Sequence, residues 1–470
     1  MAVIRKLNGI NAKISLTALA RTNEKHYPYL LETRAFAGQR QHFDILFAFP
    51  QFILSLNHQN QLSIHNCLSS NSDNNIAPDS SDSNFLEALD RLWRHHNNHQ
   101  GNLTLPFEGG WFVYLGYELA QQIEPVLNLP APDSAGMPVA FAARIPCAVI
   151  YDHAAQETYV VAEQGYESLI DSVMVDIEGL ANRADTDVEQ ELPLELHDNQ
   201  LQEEPEQIYL DSLARIKHYI REGDVFQVNL SRLWKGVIRS GHLPLDIYKR
   251  LCRSNPAPFA CLIRYQDHSV ISSSPERLLR VVDNQAETRP IAGTRPRGFT
   301  TVEDEGSLRE LIGHPKERAE HIMLIDLERN DLGRICVPGS VNVNELMVLE
   351  TYAHVHHIVS NVQGSLMPEW TPGKLIAAVF PGGTITGCPK IRCMEIIAEL
   401  EQAPRGAYTG SAGYLNHNGN MDLNILIRTL ELSGRTVKLR AGAGIVADSD
   451  PERELHETRA KAKGLLLALT

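Results

Sequence analysis

Two stretches that each carry a pair of glutamates three residues apart constrain this chain more than anything else in it. In AGAGIVADSDPERELHETRAKAK, residues 441–463, Gly442 and Gly444 read as a backbone turn that a ligand can approach closely. Ser449 and Glu452 then have capping-box spacing, and Pro451 suits the first turn of a helix. On that helix Glu454, Glu457 and Lys461 share one face. In HPKERAEHIML the spacing recurs with Glu317 and Glu320, on a helix predicted to start near Pro315. Each pair alone reads as solvated surface charge. Two pairs together read as carboxylates for one Mg²⁺, an ion that takes oxygen ligands, usually one or two carboxylates, and leaves room for substrate and water. The fold must then bring residues 317–320 and 454–461 to one place.

A chain of 470 residues implies one large domain or two, and 43% hydrophobic content can bury the core. The net charge of −15 argues against nucleic acid and anionic membrane as partners. An anionic substrate must therefore be attracted locally, by metal, arginine, lysine or backbone N–H. No run of about 18 apolar residues suggests a membrane span, and the opening MAVIRKLNGINAKISLTALA is too polar for a signal peptide. The seven cysteines are scattered without a CxxC pair, which points to free thiols in a reducing cytoplasm.

Along the chain, YPYLLETRAF and HFDILFAF read as short strands, 66–85 as a polar low-complexity loop, and NFLEALDRLWRHH as a helix. The acidic, aromatic-poor run 181–206 reads as a linker between a region 1–180 and a region 207–470. Beyond it, YLDSLARIKHYIREGD is an amphipathic helix ended by Gly223, and VFQVNLSRLW alternates like a half-buried strand. Further strands include FACLIRY, SVISSS, NILIRTLEL and TVKLRAGAG, with helices near 315–329, 372–379, 388–401 and 450–469. Strands and helices mix without strict βαβ alternation, so the fold class is α+β with large antiparallel sheets.

Several residues bear on chemistry. In PGGTITGCPKIRCMEII, Thr384 and Thr386 stand in a glycine-rich turn entering a helix, either as donors where anions are favoured or simply in a tight structural turn. In ETRPIAGTRPRG, Gly293 and Thr294 offer close backbone approach beside Arg289, Arg295 and Arg297. His357 lies among alternating apolar residues, as a core histidine or as an acid or base. Arg428, inside apolar NILIRTLEL, needs an anion partner if buried. Tyr408 is a core aromatic or a hydroxyl donor. Glu276 is an edge salt-bridge residue or a catalytic carboxylate, and Gln227 is an uncharged group on a half-buried strand.

Together these stretches resemble the chorismate-utilising enzymes. GDVFQVNLS, SSSPER, PIAGTRPRG, KERAEHIMLIDLERNDLGR, HHIVS, PGGTITGCPKIRCMEII, GNMDLNILIRT and AGAGIVADS occur in family order. The resemblance covers 207–470 strongly and roughly 26–120 more weakly. It implies sheets packed as a sandwich with helices outside, chorismate as substrate and Mg²⁺ as cofactor. It places the metal on Glu320 and Glu457, supported by Glu317 and Glu454. It places substrate carboxylates on Arg428, Tyr408, Lys461 and the backbone of Gly442, Ala443 and Gly444, with Gly293, Thr294 and Thr384 lining the same pocket. His357 matches the family's acid–base histidine, and Glu276 is the alternative acid. The isochorismate-type members carry a water-activating lysine where this chain has Gln227, so the resemblance implies an ammonia user.

Among ammonia users, FQVNLS, NPAPFA and PGGTITG are most similar to aminodeoxychorismate synthase component I, with anthranilate synthase component I as the alternative. PIAGT departs from the PIKGT of some aminodeoxychorismate synthases, because Ala292 cannot form their lysine adduct. Thr33, Phe43, Pro258 and Phe259 match the family's tryptophan pocket, with core packing as the competing reading. The resemblance implies ammonia from a separate glutamine amidotransferase subunit, since no cysteine here sits in a GxCxG-like elbow. The full set of glutamates, His357 and Arg428 argues against a silent scaffold.

Overall fold

The structure, a computed structural model, describes residues 2–7, 14–36, 42–67, 84–96, 103–132, 136–183, 201–239, 242–297, 300–313, 315–352 and 355–470. Two large antiparallel sheets dominate it, one of 12 strands and one of 11. The first runs through Tyr29–Glu32, Phe259–Tyr265, His268–Ser274, Thr429–Ser433, Thr436–Ile445 and Gln227–Val237 at its centre. The second includes Ile291–Pro296, Val355–Ser365, Arg277–Val282, Met421–Ile425, Ser411–Asn416 and Gly110–Leu115.

Alternation along the strands sends one set of apolar side chains between the sheets. Tyr29, Phe47, Cys261 and Ile263 of the first sheet meet Phe112, Tyr114, Phe141 and Ala412 of the second in one buried cluster. Tyr29 and Phe112 stack with ring centroids 4.2 Å apart and planes 4° from parallel. The outer faces are covered by helices. Leu16–Thr22, Ser168–Arg183, Pro244–Ser254 and Pro451–Leu467 bury residues such as Leu19, Val173, Leu251 and Leu465 against the first sheet. Phe85–His96, Pro315–Gly333 and Pro372–Val379 do the same for the second through Leu89, Ile325 and Leu375. This is the expected α+β sandwich with helices outside.

The stretch 181–206 separates two runs of elements in sequence but does not separate them in space. Leu30 pairs with Leu262 in one sheet, and Val113 pairs with Gly413 in the other, so both sheets are woven from both parts of the chain. Residues 184–200 of that stretch, and 68–83 of the expected loop, lie outside the described residues. The helix Ser168–Arg183 runs into the start of the expected linker.

Two local expectations change. NILIRTLEL is not one strand: Met421–Ile425 belongs to one sheet and Thr429–Ser433 to the other, and the chain crosses at Arg428 in the left-handed region, φ 54°. Gly442 and Gly444 do not form a turn but sit inside Thr436–Ile445, opposite Ser231 and Asn229. Their missing side chains leave room for the neighbouring strand. A Cβ on Gly444 would stand 2.7 Å from Gln227 Nε2.

Candidate active site

Walls from both sheets and two helices enclose a cleft of about 880 Å³. Gln227 and Gly444 come from the first sheet, Gly293 and His357 from the second, Glu317 and Glu320 from one helix, and Glu454, Glu457 and Lys461 from the other. Thr384 and Arg428 complete it. The two glutamate pairs, more than a hundred residues apart in sequence, therefore face one space.

The local reasons are visible. The C-terminal helix starts at Asp450, whose side chain accepts from Arg453 N–H, rather than at the expected Ser449. Ser449 instead donates to Glu454 Oε1 at 2.7 Å and so fixes that carboxylate. One turn on, Glu457 pairs with Lys461 at 2.7 Å, and the Lys461 ammonium also donates to the Gly442 carbonyl at 3.0 Å. On the other helix Glu317 pairs with Arg295 at 2.6 Å. Gly293, at φ 77°, stands in a bulge of its strand, and a Cβ there would overlap Glu317 Oε2. Arg289 and Arg297 are taken up elsewhere, by Glu345 with Glu350 and by Asp304.

What most distinguishes the cleft is polar groups left without partners. Asn229 Oδ1, Glu317 Oε2 and Thr384 Oγ1 of its lining are buried with no hydrogen-bond partner among the described residues, as is Oε1 of Glu276, which stands behind the lining residue Pro275 and does not itself line the cleft. Each such group costs about 1–3 kcal/mol, and native structures hold few of them. The Arg428 guanidinium donates to the Lys461 carbonyl but forms no ion pair with a carboxylate among the described residues. Burial lowers its affinity for a proton, and Tyr408 and Glu457 act against that. The desolvated Arg428 cation, the Lys461 ammonium and the Thr384 hydroxyl can receive an anionic ligand, while the acceptor oxygens of Asn229 and Glu317 call for a donor or a cation.

Two titrating groups flank it. Glu276 lies behind Pro275 and next to the Ile291 backbone. Burial pushes its carboxyl up to about 7, while the nearby Thr384 hydroxyl (not in bonding geometry), Ile291 and the Lys461 ammonium pull it back. Burial lowers His357 to about 4, against a hydrogen bond to the Gly293 backbone and the charge of Glu350, so its imidazole is neutral near pH 7.

Not every anticipated residue enters the cleft. The side chain of Ala443, anticipated only for its backbone, turns the other way, into an apolar cluster with Leu230 and Ile396, because strand side chains alternate. Tyr408 is buried beneath Gly442, and its other side meets a cavity of about 60 Å³. Thr294 pairs with His357 through its strand, and its side chain lies outside the described residues. Thr386 is turned inward and donates to the Gly382 carbonyl at 3.0 Å. Thr33, Phe43, Pro258 and Phe259 come together at a separate cavity of about 500 Å³. It shares Pro258, Pro275, Ile291 and Tyr352 with the main cleft. Asn229, which the sequence reading passed over, lines the main cleft one same-face step from Gln227; the alternation of VFQVNLS holds that signal.

As they stand, no three acidic, histidine or cysteine side chains among the described residues are gathered tightly enough to hold a metal. The carboxylates are engaged by Arg295, Lys461 and Ser449 instead. A Mg²⁺ site that relies on one or two carboxylates plus substrate and water does not need such a cluster. The unpartnered Oε2 of Glu317, in the space Gly293 leaves open, fits it.

A sandwich of two large antiparallel sheets with an anion-receiving cleft at their shared edge defines the class. The model of the chorismate binding enzyme family matches residues 37–467, and the chain belongs to that family. It is 45% identical over 378 residues to an anthranilate synthase component I-like protein of Synechocystis, covering 79% of this chain and 76% of that one. It is 42% identical over 366 residues to aminodeoxychorismate synthase component 1 of Bacillus subtilis, covering 77% of each. The solved structure of anthranilate synthase component I from Streptococcus pneumoniae superposes with a TM-score of 0.76 at 32% identity, covering 90% of this chain and 92% of that one.

Proposed function

We propose that this chain is the synthase component of an aminodeoxychorismate synthase: it combines chorismate with ammonia, delivered by a partner glutamine amidotransferase subunit, to give 4-amino-4-deoxychorismate and water. The observation that carries the reading is the desolvated Arg428, without an ion pair among the described residues, in a cleft of about 880 Å³ that Lys461 also lines. Aminodeoxychorismate is preferred because the motifs most similar to that enzyme all border the cleft: Gln227 and Asn229 of FQVNLS, Asn255 to Pro258 of NPAPFA, and Thr384 of PGGTITG.

In this reading Arg428 grips a substrate carboxylate with its planar fork, and Lys461 adds a second positive charge. Glu276, buried and held near pKa 7, gives a proton to the departing ring hydroxyl, which leaves as water. Ammonia forms the C–N bond and sheds a proton, for which the neutral imidazole of His357 is an available acceptor. The enolpyruvyl group stays in place. Ala292 lines the cleft without a nucleophile, so ammonia attacks the ring directly. Glu320 and Glu457, with Glu317 and Glu454 beside them, are the residues that would hold Mg²⁺. Bound there, the ion would supply Lewis-acid neutralisation of a substrate carboxylate.

Ala292 is also the observation that favours a second reading, anthranilate synthase component I. Product identity separates the two. The purified chain with chorismate, Mg²⁺ and an ammonium salt should consume chorismate without fluorescent anthranilate or pyruvate. Adding aminodeoxychorismate lyase should then release para-aminobenzoate and pyruvate. Anthranilate made by the chain alone moves the assignment to the second reading.

A further inference from the structure

The backbone of Asn229 is fully committed. Its N–H donates to the Thr386 carbonyl at 2.9 Å, and its carbonyl accepts from Arg405 Nη2 at 2.7 Å. That pins the strand and leaves the side-chain amide with no structural task. The residue is only 9% exposed, it lines the cleft, and Oδ1 has no partner among the described residues. A buried amide oxygen left open in this way is held for a donor that comes and goes.

Its neighbours narrow the donor. A Cβ on Gly442 would stand 3.0 Å from Asn229 Oδ1 and 2.9 Å from the Tyr408 hydroxyl, so glycine lets both oxygens reach the same corner. Gln227 lies one same-face step along the strand and also lines the cleft. The oxygens of this corner are uncharged, and the charge beside it is positive: the Lys461 ammonium donates to the Gly442 carbonyl at 3.0 Å, which disfavours a second cation there. A neutral acceptor orients the N–H bonds of ammonia without stabilising ammonium. A carboxylate in its place would favour ammonium, which has no lone pair with which to attack.

We propose that Asn229 binds and orients the ammonia nucleophile through Oδ1. The inference rests on the amination reading above and adds the place where the nitrogen waits.

The test uses the full chain with Mg²⁺ and saturating chorismate, varying ammonium chloride at fixed pH. Asn229→Val should raise the KM for ammonia about 10-fold or more, the equivalent of one lost hydrogen bond, with the KM for chorismate unmoved. Asn229→Ser, which keeps an oxygen and is a smaller perturbation should the valine variant fail to fold, should fall between valine and wild type. An unchanged KM for ammonia in either folded variant overturns the proposal. So does a rise confined to the KM for chorismate, which would put the amide against the ring hydroxyl instead. A wild-type chain that forms no aminated product overturns the amination reading and this proposal with it.

Discussion

At the scale of single residues, the cleft depends on groups whose surroundings oppose their ordinary state. Glu276 keeps its proton to about pH 7, where an unperturbed glutamate titrates near 4.5. As a proton donor it should lose activity as pH rises past 7. At a constant concentration of un-ionised ammonia, kcat/KM for chorismate should fall on that limb, and Glu276→Gln should remove the limb together with most of the rate. Stability follows the same proton. Between those two values the native state binds more protons than the unfolded chain, so stability falls as pH rises through the window. Glu276→Gln should therefore stabilise the fold more at pH 8 than at pH 5, by up to about 3 kcal/mol in unfolding free energy; an equal effect at both would mean that burial does not hold the proton on Glu276. Arg428→Ala should cost roughly 30- to 150-fold in kcat/KM for chorismate, about 2–3 kcal/mol for charge-assisted bonds. A change under three-fold would remove Arg428 from the substrate.

At the scale of elements, some of the site was legible in the sequence and some was not, for definite reasons. Glutamates three residues apart must share a helix face whatever the helix packs on, so Glu317 with Glu320 and Glu454 with Glu457 were readable pairs. The VFQVNLS alternation likewise fixed a strand, and followed two residues further from Gln227 it would have found Asn229. Gly442 and Gly444 were misread because a small-residue run looks the same locally in a turn and in a strand that clears space for its neighbour. Only pairing with Gln227–Val237 settles that. Arg428 looked like a mid-strand residue because nothing local says that a chain changes sheets there. The side chain of Ala443 goes to the core by strand alternation, which leaves its expected backbone role untouched. Gly293 carries a test at this scale. Its φ of 77° and its contact with Glu317 leave no room for a side chain. Gly293→Ala should cost about 1–3 kcal/mol in stability and most of the turnover. Wild-type activity in that variant would show that the bulge does not shape the Glu317 corner.

For the molecule as a whole, both sheets draw strands from both sides of 181–206, so the regions before and after it share cores rather than each owning one. Composition alone suggested a division there because linkers and surface segments inside a shared fold have the same polar character. Denaturant unfolding should show one transition, with tryptophan fluorescence and circular dichroism coinciding. Two separated transitions would argue for independent halves. Among the described residues no helix is long and apolar enough to cross a membrane. The net charge of −15 makes the cationic corner of the cleft a local exception, positioned by the fold against the overall field.

The central claim is that this cleft, with glutamates from two distant helices, turns over chorismate with a divalent cation. The most direct measurement is the rate of chorismate loss with ammonium present, with Mg²⁺ and after chelation, for the wild type and for Glu320→Ala and Glu457→Ala. Rapid loss is expected only for the wild type with Mg²⁺. Loss at an undiminished rate after chelation, or near-normal turnover in either variant, would contradict it.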